Sequence, residues 1–157
     1  MIIYTDGSCR SNGNPDAIGG FGVVAVDEDK IFTYAHQEEG STNNREEMKA
    51  ILYALLQFGN KEFAPTVYTD SAYAYNVFTD WMYMWEMRGW LKGDNKPPEN
   101  LDLVKTYFNF EKMGYHINLR KIKGHSGNKW NEMADGLATG RIKPTYEWKD
   151  IDNGGNN

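Results

Sequence analysis

Cysteine is nearly absent from this chain: Cys9 is the single one among 157 residues. That excludes an internal disulfide framework and a zinc centre built on thiolates, and it fits a reducing, cytoplasmic location. Long apolar runs are missing too. The longest, FGVVAV at 21–26, falls far short of the roughly 20 residues that a spanning helix needs, so no membrane is expected as a partner. No basic-then-apolar leader precedes the first strand pattern, which argues against a secretory signal. A start at Met1 directly on that strand is what a free-standing protein would show. Positive charge is scarce: 17 Lys and Arg face 22 Asp and Glu, for a net charge of −5. General attraction to a nucleic acid therefore has the wrong sign. Such a partner would need local basic patches, or acidic residues committed to a cation.

What is present is an ordinary globular composition, 40% hydrophobic and 25% charged, at a length suited to one domain. Residues 1–39 read as three strands, MIIYTDGS, GGFGVVAVD and IFTYAHQEE, the last two joined by a tight turn at DEDK. The stretch 43–58 is the clearest helix, with Met48, Ile51, Leu52, Leu55 and Leu56 on one stripe and Gly59 as a stop. A fourth strand is expected at 66–69, helices at 71–88 and 100–112, a fifth strand at 115–122 and a last helix over about 128–141. This order predicts an α/β fold: a five-stranded mixed sheet, made of a three-strand antiparallel meander plus two further strands, with helices on both faces. Residues 143–157 form a tail whose DNGGNN end can bury nothing and is expected to be disordered.

Twice an apolar strand pattern runs straight into aspartate, at Asp6 in IIYTDGS and at Asp70 in VYTDSAY. Ligands of open α/β sheets collect at strand ends, although an aspartate before SAYAYNVF also reads as a helix cap. Glu47 lies four residues before Ile51 and eight before Leu55, on the apolar stripe of its helix. A carboxylate there must be paired, metal-bound or protonated. Its neighbour Glu46 reads as the third helical residue after an Asn43 cap, completing a capping box, and so belongs to structure. Asp135 falls beside the apolar face of the last helix, where periodicity alone leaves it a surface residue. If Asp6, Glu47 and Asp70 converge, two unit charges about 4 Å apart repel by roughly 4 kcal/mol at an effective dielectric near 20. Such a cluster takes up protons or holds a cation, and oxygen donors without histidine or cysteine favour Mg²⁺ or Mn²⁺.

The segments YTDGSC, TNNREE, YTDSAY, RGW, KGHSGN and NEMADGLA, in this order and spacing, resemble bacterial-type ribonuclease H, the ribonuclease HI family, over about residues 1–142. The resemblance implies a ribonuclease H-like fold and an endonuclease that hydrolyses the RNA strand of RNA/DNA hybrids. It implies a four-carboxylate metal site at Asp6, Glu47, Asp70 and Asp135, with His125 on a glycine-flanked loop serving proton transfer or product release. Two divalent ions about 3.5–4 Å apart would flank the scissile phosphate and leave 5′-phosphate and 3′-hydroxyl ends. Residues matching the family's minor-groove readers are Cys9, Asn14, Asn43 and Asn44; Thr42 matches a phosphate contact, and Trp81 and Trp85 match aromatics of the groove for the DNA strand. The plain alternatives are turn chemistry for Asn14, capping for Asn43 and core packing for the tryptophans. Two departures stand out. Ala72 replaces an amide often found after the second TDS, and the protrusion 81–98, often strongly basic, carries Arg88, Lys92 and Lys96 against Glu86 and Asp94, a balance of only +1. Positive charge is denser at 120–129, with Arg120, Lys121, Lys123 and Lys129.

A phosphotransfer receiver also sets aspartates at strand ends, but the opening meander contradicts its alternating βα order. Related carboxylate nucleases and transposases lack the TNNR and GHSG pair. A catalytically weak hybrid-binding module of the same fold is the non-enzyme alternative, and an excised domain of a reverse transcriptase is another context. The expected molecule is a monomer.

Overall fold

The computed structural model describes residues 1–10, 14, 16–124 and 127–151. Strands β1 (Ile2–Arg10), β2 (Ile18–Asp27) and β3 (Lys30–Glu39) form an antiparallel meander, with β1 also paired in parallel to β4 (Thr66–Thr69) and β4 to β5 (Asn118–Lys121). The turn from β2 to β3 is as tight as DEDK implies: Asp27 pairs with Lys30, and Glu28 takes a positive φ of 54°. Five strands were expected and six are present among the described residues. Strand β6 (Trp148–Asp150) lies antiparallel to the outer edge of β3, giving the order β5-β4-β1-β2-β3-β6. Three residues of sequence WKD carry no readable alternation, so only tertiary contacts define this strand. They include Trp148 packed on Phe32 and Phe58, and reciprocal hydrogen bonds between Thr33 and Thr145. The tail therefore joins the sheet at Trp148–Asp150, and the Ile151 N–H donates to the Asp29 carbonyl at 2.8 Å; the expected disorder of its end concerns residues outside those described.

Helix α1 (Asn43–Phe58) follows the expected bounds and lays Met48, Ile51, Leu52 and Leu55 on one face of the sheet, against Ile3, Val23, Ala25 and Val67. The expected helix at 71–88 is a run of three pieces: α2 (Ala72–Asn76), a single π turn (Val77–Trp81) and α3 (Met82–Met87). One extra residue per turn at that point keeps Val77, Phe78 and Met82 all in the core. Helix α4 (Leu101–Lys112) packs on the same side through Leu103, Val104 and Tyr107, whose ring stacks on Phe78 at 4.2 Å. The opposite face of the sheet is covered by α5 (Lys129–Ala138), with Ala134 and Leu137 against Tyr4, Val24 and Ala35. Helices thus lie on both faces, and the two apolar clusters alternate along β1: Ile3 belongs to one and Tyr4 to the other.

Candidate metal and nucleic-acid site

Alternation along β1 turns Asp6 to the side of Tyr4, the α5 side, and Gly7 to the α1 side. Both helices come close here because glycine permits it. A Cβ on Gly7 would stand 2.3 Å from the backbone nitrogen of Glu47, so α1 lies directly on β1 and Glu47 reaches Asp6 past a missing side chain. Gly22, the cross-strand partner of Asp6, plays the same part for α5. A Cβ there would sit 2.4 Å from the Ala134 carbonyl oxygen, one residue before Asp135.

Asp6, Glu47 and Asp70 offer carboxylate oxygens that all lie within 4.8 Å of one another. Asp6 and Glu47 are buried; Asp70 is partly open. Burial, then the Asp70 charge, pushes the Asp6 carboxyl up to about 7. Burial, then the charges of Asp6 and Asp70, raises Glu47 well above the usual carboxylate range. With both carboxyls raised side by side, the pair favours keeping a proton when no cation is bound. The Gly7 N–H donates to Asp6 Oδ1 at 3.0 Å, partly offsetting the charge. Glu47 Oε2 is buried with no hydrogen-bond partner among the described residues. An unmatched lone pair on Glu47, beside the carboxylates of Asp6 and Asp70, fits a bound cation.

Asp70 is not needed as a cap, because Ser71 caps α2 by accepting from the Ala74 N–H at 3.0 Å. Above it passes the loop after β5, where a Cβ on Gly124 would stand 2.8 Å from Asp70 Oδ2. His125, the next residue, lies outside the described residues. Asp135 touches Asp6 and raises its pKa by contact and by charge, yet stands apart from the set of three. Its Oδ2 accepts from Arg141 Nη2 at 2.7 Å. Nothing in the sequence marks this pair: six positions is no helical repeat, and a turn after α5 brings Arg141 back.

The reading of Glu46 needs correction. Thr42, not Asn43, caps α1, its hydroxyl accepting from the Arg45 N–H at 3.1 Å. Glu46 is fully buried, one turn before buried Ala50, and its Oε2 accepts from Ser41 Oγ at 2.6 Å. There is no capping box.

Of the candidate substrate contacts, Cys9 Sγ points to the Ser41 carbonyl at 3.3 Å. The Ala17 N–H donates to the Asn14 carbonyl at 3.0 Å, and the Gly40 N–H donates to the Ala17 carbonyl at 2.8 Å. Cys9, Asn14 and the start of α1, with Thr42 and the exposed Asn43 and Asn44, are thereby held as one surface. Arg45 fixes it further: it makes a two-pronged ion pair with Asp102, at 3.0 and 2.7 Å, that ties α1 to α4. Trp81 and Trp85 are half-buried, 6.1 Å apart, with Tyr73 edge-on to Trp81. Both pack against the core and keep part of each ring open.

A family model described as RNase H matches residues 1–143. A curated ribonuclease H from Caldanaerobacter subterraneus subsp. tengcongensis is 39% identical over 142 residues, covering 90% of each chain. Among solved structures, LC9-RNase H1, a type 1 RNase H with the type 2 active-site motif, superposes with a TM-score of 0.74 at 28% identity, covering 96% of this chain and 76% of that one. A foamy viral protease-reverse transcriptase in complex with RNA/DNA hybrid gives a TM-score of 0.76 at 22% identity, over 88% of this chain and 19% of that one; it supports the fold.

Proposed function

Because the chain belongs to the ribonuclease H family and is an enzyme of that class, we propose that it cuts the RNA strand of RNA/DNA hybrids by metal-assisted hydrolysis. The observation that carries this reading is the convergence of Asp6, Glu47 and Asp70 within 4.8 Å around an unpartnered buried oxygen. Two divalent ions, Mg²⁺ or Mn²⁺, would when bound neutralise the scissile phosphate and supply an activated water, giving 5′-phosphate and 3′-hydroxyl ends.

The chain's own work is positioning and charge. Asp6 from β1 and Glu47 from α1 would offer deprotonated oxygens to the ions, which would lower the pKa values that burial raises. Asp70 and Asp135 flank them from the end of β4 and from α5. No side chain needs to act as a covalent nucleophile. His125 would move a proton or assist product departure. Cys9, Asn14, Asn43 and Asn44, with Thr42 at a phosphate, would read the hybrid's minor groove, since amides both donate to and accept from sugar hydroxyls and base edges. Trp81 and Trp85 would line the path of the DNA strand. Residues 1–142 would suffice for catalysis, acting as a monomer.

Asp70→Asn is the sharpest test. The change relieves like-charge repulsion, so the variant should melt no lower than the parent. Cleavage of a labelled hybrid in Mg²⁺ should fall by at least about a thousandfold, the scale of losing one preorganised charge at a reacting centre. Single-stranded RNA and duplex DNA should stay intact with either protein, and EDTA should stop the parent. Undiminished cleavage by the variant would remove Asp70 from the site.

A further inference from the structure

Arg141 has no place in the chemistry above, yet it holds one of the four carboxylates. The turn after α5 places it: Gly140 takes a positive φ of 83°, and the Ile142 N–H donates to the Gly136 carbonyl at 3.0 Å, folding the chain back along the last helical turn. Arg141 Nε then donates to Thr139 Oγ1 at 3.1 Å and Nη2 to Asp135 Oδ2 at 2.7 Å. Thr139 Oγ1 is itself anchored on the Asp135 carbonyl at 3.1 Å. The guanidinium is thus oriented, not merely nearby, while its side chain stays 63% exposed and leaves the core untouched.

We infer that Arg141 is a built-in competitor for the divalent ion at Asp135, a positioning residue that occupies the fourth carboxylate until substrate arrives. The inference rests on the metal-site reading of the preceding subsection. A guanidinium is always charged, takes one Asp135 oxygen, and opposes any second cation beside it. Asp6, Glu47 and Asp70 have no such arginine or lysine partner among the described residues, which leaves Asp135 as the one member of the four with a resident cation. A substrate phosphate brings negative charge to the site and offsets that opposition. Ion occupancy at Asp135 then becomes dependent on substrate, and an ion is held less firmly once product leaves.

The test is Mn²⁺ binding to the EDTA-treated, dialysed protein without nucleic acid, by calorimetry and by the EPR signal of free Mn²⁺. Arg141→Gln should fold as the parent does and bind Mn²⁺ about threefold to tenfold more tightly, the scale expected for removing one solvent-screened charge near a divalent ion. Arg141→Lys keeps the charge and should stay near the parent. Adding Asp135→Asn to Arg141→Gln should erase the gain. Equal or weaker binding by Arg141→Gln, or a gain that survives Asp135→Asn, overturns the inference while leaving the metal site standing. No Mn²⁺ binding by the parent overturns both.

Discussion

At the scale of single residues, the site is a set of carboxylates held where water would be kinder to them. Asp6 is raised to about 7 and Glu47 well above its usual value, both chiefly by burial. A carboxyl whose pKa is higher in the folded protein stabilises the fold fully below its unfolded value, near 3.8 for Asp6. That contribution drains away as pH rises through the folded value. Each unit of difference is worth about 1.4 kcal/mol. Metal-free protein should therefore be measurably more stable to urea at pH 5 than at pH 8, with the fall ending near 7 and little change above it, and Asp70→Asn should lessen the fall. A metal-free stability that rises across this interval would contradict the assignment. The sequence disclosed Glu47 because a charged side chain on an apolar helical stripe needs a reason. It misplaced Glu46 because a stripe drawn through the large aliphatics alone omits Ala50, which is buried one turn after Glu46 and widens the covered face to reach it. It left Asp135 open, since position 135 is neither inside nor outside by periodicity; only the resemblance marked it.

Elements were legible in proportion to their length. The sixteen residues of α1 announce themselves by their stripe; the π turn at Val77–Trp81 and the three residues of β6 do not, because each is set by what it packs against. β6 yields a prediction of its own. A chain ending at residue 142 loses Trp148 from Phe32 and Phe58, the Thr33–Thr145 pair and the Lys30–Asp150 ion pair. Loss of one partly buried tryptophan with its hydrogen bonds is worth about 2 kcal/mol, or a melting temperature lower by about 4–8 °C in a domain of this size. Scanning calorimetry reads that shift. Hybrid cleavage should persist, because β6 lies on the sheet edge beyond β3, separated from β1 by two strands. It also shields the β3 edge, which would otherwise present unpaired N–H and C=O groups to another chain.

Over the whole molecule, the net charge of −5 sets how firmly a polyanion can be held. Lys92 is paired with Asp94, and Lys105 and Lys112 sit over Trp90 and Phe108, so several cations near the protrusion are already engaged. Few remain to displace counterions. The affinity of Asp70→Asn for a hybrid, followed by fluorescence anisotropy over a salt series, should give a log–log slope shallower than about −5. A slope as steep as that of a strongly basic protein would mean that phosphate contacts come from a surface this reading overlooks.

The closeness of α1 to β1 at Gly7 and of α5 to β2 at Gly22 reaches further still. Glu47 comes from the first helix and Asp135 from the last, on opposite faces of a sheet that must be complete before they can approach each other. Cutting power is therefore a property of the finished object. A half-made chain keeps its aspartates but has no finished sheet on which to assemble them.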